Sequence, residues 1–98
     1  MAEAPYKRVL LTMSGEMLTT PGAFGIETEA MSSVIGEIAS AISTGIQMGI
    51  VVGGGNFLRG HQLQDNPHIE RVTADTMGML ATTMNALALR DGLESVGV

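Results

Sequence analysis

The chain has 98 residues, of which 45% are hydrophobic and 15% charged, and its formal net charge is −5. This length suits one domain or part of one, and we predict a single α/β unit over residues 1–98. With five basic residues in total, the chain is a poor candidate for nucleic-acid binding. The absence of cysteine excludes disulfides and thiolate metal sites. We find no signal peptide and no run of about 20 apolar residues, and therefore expect a cytoplasmic protein with no membrane span.

The first half of the chain predicts a strand, a loop and a helix. Residues 6–13 form the strand, and their unbroken apolar run is typical of a strand covered on both faces. A glycine- and proline-containing loop is expected over 17–25. The helix should begin near Glu27 or Thr28 and end at Thr44, because apolar residues recur at spacings of three and four. Gly45 is the expected terminating glycine, and Gly36 would allow close packing on the sheet.

The second half repeats the alternation. Residues 46–52 predict another buried strand, and 61–67 a polar turn. A long helix should begin at about His68 or Thr73, end at Asp91 and be closed by Gly92. Residues 94–98 look like the approach to a third strand. This order favours a parallel sheet with right-handed crossovers. So small a sheet would have open edges, which we expect oligomerisation to complete.

Three consecutive glycines, Gly53–Gly55, follow the second predicted strand. In open parallel sheets, ligands bind beyond the carboxyl ends of the strands. Glycine there permits positive φ, removes the Cβ, and lets successive amides bind an anion, with Arg59 as a nearby guanidinium for phosphate. Neither the dinucleotide fingerprint nor the P-loop pattern is matched. The loop is therefore either a nucleotide-phosphate site or a tight turn, and Ser14-Gly15, after the first strand, carries the same two interpretations.

The second helix contains an uncharged stretch, TMGMLATTMNALAL, over residues 76–89. A helix this apolar is either central to a larger core or part of a subunit interface, with Gly78 and Ala81 allowing close approach. Asp75, just before it, is either a first-turn acid or an acceptor for ligand hydroxyls. His61 and His68 are better explained as surface histidines than as a metal site, and we predict no metal ligands.

Several segments together resemble a known family: YKRVLL, SGE, FGI, GIQMGIVVGGGNFLRG and ADTMGMLATTMNALALRD. They are similar to the N-terminal part of bacterial UMP kinases, which have the amino-acid kinase fold, and the resemblance runs from Tyr6 to about Leu93. It implies a partial three-layer α/β domain with a parallel sheet, the UMP-binding and dimerisation half of such an enzyme. The family transfers the γ-phosphoryl group of ATP to UMP, giving UDP for pyrimidine nucleotide synthesis. Its members use Mg²⁺ with ATP, form hexamers built from dimers and are commonly activated by GTP.

The resemblance also implies roles for individual residues. The ATP phosphates would lie by Thr12, Ser14, Gly15, Gly55 and Arg59, of which Arg59 would be catalytic where the phosphates of both nucleotides meet. Gly54 and Asp75 would contact UMP. Residues linked to GTP regulation would be Thr20, Gly22, Gly25 and Arg90. The helix 73–91 would form the homo-oligomer interface through Met77, Leu80, Met84 and Leu87.

Two departures from the family pattern affect the expected activity. The family has lysine where this chain has Thr12, and loss of that cation should slow phosphoryl transfer on the order of 10²–10³-fold. The family enzymes are also more than twice as long, so we expect a fragment or shortened relative that is inactive alone. Ala74 and Thr76, where the family has glycine and histidine, weaken the UMP assignment slightly. The alternative is a non-catalytic, self-associating module that retains at most phosphate or nucleotide binding.

Overall fold

A computed structural model of the chain describes residues 5–58, 63 and 65–98. Within these ranges, strands β1 (Arg8–Met13) and β2 (Gln47–Val52) form a two-stranded parallel sheet. A short 3-10 helix (Gly15–Leu18) follows β1, helix α1 (Thr28–Ile42) connects the strands, and helix α2 (Arg71–Ser95) follows β2. The predicted parallel α/β arrangement is confirmed.

Both helices pack on one face of this sheet. The apolar core comprises alternate strand residues and the inner stripes of the helices: Met13, Leu18, Val34, Ile38, Val52, Leu89 and Leu93. On the opposite face, Leu10 is 68% exposed and Val51 52% exposed. The expectation that both faces of the strands would be covered is therefore wrong for the described chain, because its helices form one layer only.

Helix α1 lies within two residues of its predicted bounds. Val34 and Ile38 form its buried stripe, and Gly45 follows with a φ of 95°, a value that favours glycine. Gly36 was expected to permit close packing. It is exposed, and a Cβ added there would meet no atom within 4 Å, so that expectation is wrong.

Helix α2 continues past Gly92, so the predicted end there and the strand predicted over 94–98 are both wrong. Gly92 faces α1, and an added Cβ would lie 2.8 Å from Met31 Cε. The helix is closed instead by Gly97, whose φ is 85°. Gly97 N donates to Glu94 O (3.1 Å) and Val98 N to Leu93 O (3.0 Å), the two bonds of a Schellman motif.

The two sides of α2 differ in exposure. The side toward the sheet and loops is buried: Ala74, Ala81, Asn85, Leu89 and Leu93. The outward side, here called the outer stripe, exposes Val72, Met79, Leu80, Met84 and Leu87. The helix is thus half-buried rather than enclosed all round. In the described part of the chain, no helix combines the length and apolarity required to cross a membrane.

Candidate nucleotide-phosphate site

The loops that follow β1 and β2 meet at one edge of the sheet. The strands end in register, with Met13 opposite Val52, and Gly53 N donates to Met13 O at 3.0 Å. Gly15 then lies so close to the second loop that an added Cβ would be 2.5 Å from Gly53 O. The parallel register therefore brings together the two glycine turns that the sequence pattern had singled out.

Two of the three consecutive glycines, Gly54 and Gly55, are used for internal packing. A Cβ on Gly54 would lie 2.8 Å from Ala81 Cβ and 3.3 Å from Gly78 O, both on α2. A Cβ on Gly55 would lie 3.2 Å from Glu16 Cγ. None of these glycines uses the positive φ that glycine permits, and at Gly54 and Gly55 the missing side chain makes room for the protein itself.

Two buried asparagines hold the meeting point together. Asn85 Nδ2 donates to Gly53 O (2.8 Å) and to Asn56 Oδ1 (2.7 Å). Asn56 Nδ2 donates to Asn85 Oδ1 (3.0 Å) and to Gly25 O (3.0 Å). Both side chains are 0% exposed. The pair thus joins the end of β2, helix α2 and the loop that precedes α1.

The loop amides face away from these internal bonds. In a planar trans peptide, the C=O and the following N–H point in opposite directions, and the described chain has no cis peptide. Because Gly53 O is bonded to Asn85, Gly54 N–H points away from the asparagine pair. Gly54 O accepts from Phe57 N (3.0 Å) and Leu58 N (3.1 Å), so Gly55 N–H points out of that turn. Neither amide donates to another described residue.

Ser14, Thr12 and Asp75 lie around this edge. Ser14 is exposed and its Oγ accepts from Glu16 N at 3.2 Å, capping the 3-10 helix. Thr12 is exposed on the uncovered face of the sheet, near the end of β1. Asp75 is exposed and lies one helical turn before Gly78, whose carbonyl oxygen is close to Gly54. Arg59, the predicted catalytic cation, lies outside the described residues, as does His61.

The segment from Thr19 to Gly25 is held by a carboxylate. Glu27 Oε1 accepts from Thr20 N (2.9 Å), Thr19 Oγ1 (2.7 Å) and Thr20 Oγ1 (2.7 Å). The bond from the Thr20 amide, followed by those from the two hydroxyls, lowers the pKa of Glu27. Gly22 and Gly25 have φ values of 81° and 84°, so both sit where glycine is favoured.

This segment also contacts the glycine loop. Gly25 N donates to Asn56 O at 2.8 Å, and the rings of Phe24 and Phe57 pack edge to face with centroids 5.6 Å apart. Three of the residues expected to be linked to regulation, Thr20, Gly22 and Gly25, therefore belong to one segment joined to the site. Arg90 lies elsewhere, near the C-terminal end of α2, where it pairs with the adjacent Asp91 at 3.2 Å.

The predicted interface residues lie on α2. Leu80, Met84 and Leu87 belong to the outer stripe and are 61%, 51% and 49% exposed, and Met77 at its margin is half-buried. Among residues 5–58, 63 and 65–98, no three histidine or acidic side chains cluster in a way that could hold a metal ion.

A model of the amino acid kinase family matches residues 7–98. The chain belongs to the amino acid kinase family. It is 53% identical over 89 residues to uridylate kinases of Psychrobacter cryohalolentis and Psychrobacter arcticus, covering 91% of this chain and 37% of each relative. The chain thus spans little more than a third of the length of these curated relatives.

Solved structures give the same family relationship. The UMP kinase of Bacillus anthracis superposes with a TM-score of 0.85 at 40% identity, covering 94% of this chain and 37% of that one. The UMP kinase of Ureaplasma parvum gives a TM-score of 0.81 at 32% identity, covering 96% and 39%. The similarity to UMP kinases and the amino-acid kinase fold are therefore confirmed.

Sequence reasoning missed Asn56 and Asn85. Asn85 is the one amide side chain in the uncharged stretch 76–89, and Asn56 follows the glycines directly. A buried amide in an apolar helix needs hydrogen-bond partners. The available signal was therefore an asparagine in an apolar helix together with a turn-rich loop whose carbonyls could accept from it.

Proposed function

We propose that the chain forms the UMP- and phosphate-binding part of a uridylate kinase, which transfers the γ-phosphoryl group of ATP to UMP. The observation that carries this proposal is the junction of two strand-end loops, at which the Gly54 and Gly55 amides point away from internal partners. The 53% identity to uridylate kinases supplies the nucleotide specificity. In the reaction, a UMP phosphate oxygen would attack the γ-phosphorus while the bond to the ADP oxygen breaks.

The residues at this edge of the sheet would have different roles in phosphoryl transfer. Outward amides and the Arg59 guanidinium would stabilise phosphate charge, since phosphoryl transfer depends on positioning and electrostatics. Asp75, one helical turn before the contact between Gly78 and Gly54, would accept hydrogen bonds from the ribose hydroxyls of UMP. ATP would lie toward Ser14 and Gly15, with Mg²⁺ bound to its phosphates. GTP would act through the segment 20–25.

A nucleotide titration tests the proposal. Nitrogen-15 NMR of the 98-residue chain should show shifts of the Gly54, Gly55 and Asp75 amides on addition of UMP. ATP with Mg²⁺ should shift Ser14 and Gly15. Uridine, which lacks the phosphate, is the matched control and should leave the glycine amides almost unchanged. Absence of any response to UMP and ATP would overturn the nucleotide-binding proposal.

Non-catalytic nucleotide binding is the second candidate function. It is favoured by Thr12, a neutral side chain at the end of β1 where the related kinases have lysine. We expect the isolated chain to form no measurable UDP from UMP and ATP. UDP formation that disappears in Arg59→Ala would establish catalysis and exclude this second candidate.

We also propose that a second copy of the chain covers the outer stripe of α2. Its five apolar side chains are exposed on one side of the helix, and four of them lie in the stretch from residue 76 to residue 89, which carries no charge. The cytoplasmic location expected from the sequence stays a prediction.

A further inference from the structure

We infer that the Asn56–Asn85 pair is a positioning device that sets the direction of backbone amides in two separate loops, among them the Gly54 amide of the proposed phosphate site. This inference rests on the proposed function for its ligand. Its geometric part stands on four hydrogen bonds of 2.7–3.0 Å made by two fully buried side chains.

The pair leaves no freedom to rotate either amide group. Each Nδ2 uses both of its hydrogens, one for the other asparagine and one for a loop carbonyl. Turning either group by 180° would place an oxygen against a carbonyl oxygen, which is unfavourable for buried polar atoms. In the described part of the chain, no buried side-chain nitrogen or oxygen lacks a partner.

Each asparagine controls a different loop. Asn85 holds Gly53 O inward, which turns Gly54 N–H outward, because the peptide is planar and trans. Asn56 holds Gly25 O inward, which turns Ile26 N–H outward by the same geometry. A single pair of side chains therefore orients the glycine loop and, separately, the end of the segment 19–25.

Aspartate substitutions separate the two functions. In Asn85→Asp, the carboxylate still accepts from Asn56 but cannot donate to Gly53 O or to Asn56 Oδ1. In Asn56→Asp, the carboxylate still accepts from Asn85 but cannot donate to Gly25 O or to Asn85 Oδ1. The matched control is Asn66→Asp, because Asn66 Oδ1 accepts from His68 N (2.8 Å) and an aspartate there keeps that bond.

The readout is the set of backbone amide resonances and exchange rates without ligand. We expect Asn85→Asp to shift Gly54 more than Ile26, Asn56→Asp to shift Ile26 more than Gly54, and Asn66→Asp to shift neither. A merely structural role would move both amides together in both variants. Equal shifts in the two variants, or none, would overturn the inference.

Binding to UMP is measured in parallel. Asn85→Asp should weaken UMP binding on the order of tenfold, the effect of one misdirected hydrogen bond, with Asn66→Asp unchanged. Unaltered affinity in Asn85→Asp would overturn the positioning role. Failure of the unsubstituted chain to bind UMP would overturn the proposed function alone, because the ligand-free resonances still decide the geometry.

If either aspartate variant fails to fold, the neutral substitutions Asn85→Ala and Asn56→Ala replace it. Each removes one loop contact and both bonds between the asparagines without burying a charge. Because only one loop contact is lost in each variant, the same contrast between Gly54 and Ile26 is expected. Equal shifts of the Gly54 and Ile26 amides in both alanine variants would overturn the inference.

Discussion

Gly15 shows how one hydrogen atom in place of a side chain allows the two loops to meet. The space beside it is filled by a backbone oxygen and by the amide groups of Asn56 and Asn85. These atoms are fixed by their own hydrogen bonds. A methyl group at this position has no flexible neighbour to displace.

Gly15→Ala should therefore destabilise the chain and separate the two loops. Its Cβ would lie 2.6 Å from Asn56 Oδ1 and 2.9 Å from Asn85 Nδ2, and overpacking of this kind costs about 1–3 kcal/mol or more. Urea titration measures the free energy of unfolding. The control is Gly53→Ala, whose Cβ would meet Gly15 N at an ordinary 3.7 Å. Equal losses in both variants would contradict the packing explanation.

Glu27 gives the chain a pH-dependent contribution to stability. Folding lowers its pKa through bonds from Thr20 and Thr19. A lowered pKa means that the carboxylate stabilises the folded state above its unfolded pKa, and that this contribution is lost as the pH falls through the folded pKa. Glu27→Gln should thus lose less stability than the unsubstituted chain between about pH 7 and about pH 3.

Thermal unfolding over that pH range measures this difference. Glu29→Gln is the matched control, because Glu29 also lies in the first turn of α1 and should keep the full acid-induced loss. An acid-induced loss in Glu27→Gln equal to that of the unsubstituted chain would show that the three bonds to Glu27 do not depend on its charge.

At this scale, sequence reasoning located the loops but not their internal bonds. Glycine after a buried strand is a local pattern, so Gly15 and Gly53–Gly55 could be singled out. The partners of Asn56 lie 29 and 31 positions away along the chain. The carbonyl to which an asparagine donates depends on the final packing of the chain. That packing cannot be deduced from a single sequence.

At the scale of elements, α2 illustrates where local signals fail. Gly92 after charged residues is typical of a helix end, but here the glycine lets α1 pack closely against the helix interior. Tertiary packing overrides the local preference, and Gly97 supplies the closure. By contrast, the start of α1 follows from its apolar spacing and both strands from their apolar runs, and their positions were predicted within two residues.

The outer stripe of α2 makes a prediction about association. Leu80→Glu should shift the chain toward monomer, because its charge would be buried in an interface with a second copy. The folded monomer should survive, since Leu80 is 61% exposed. Analytical ultracentrifugation measures the association, and circular dichroism the fold.

Leu80→Met is the control for this experiment. It retains an apolar side chain of similar volume and should associate like the unsubstituted chain. A chain that is monomeric at all concentrations, or a Leu80→Glu variant that associates normally, would rule out this interface.

At the scale of the whole molecule, the sheet has one packed face and one bare face. Neighbouring residues on β1 therefore differ in their packing, since Leu11 packs against the core while Leu10 is 68% exposed. The uninterrupted apolar run in the sequence was correctly recognised as a strand. Which of its faces would be covered depends on how many helical layers the chain provides, and this cannot be deduced from the strand.

Threonine substitutions compare the two faces directly. Leu10→Thr should change the free energy of unfolding by less than about 0.5 kcal/mol and reduce the binding of an apolar dye. Leu11→Thr should cost about 1 kcal/mol or more, because it removes buried apolar surface. Urea titration measures both variants. A larger loss in Leu10→Thr than in Leu11→Thr would show that the bare face is covered in solution.

The asparagine pair has a consequence for the order of folding. Its bonds link Gly25 at one side, Gly53 at the end of β2 and Asn85 deep in α2, so the ring of four bonds closes only after distant parts of the chain have come together. Such long loop closures are late and slow events. The strands themselves pair across 39 residues, so strand pairing and the loop edge belong to the same non-local stage, and competence to capture an anion would arrive only with the completed fold.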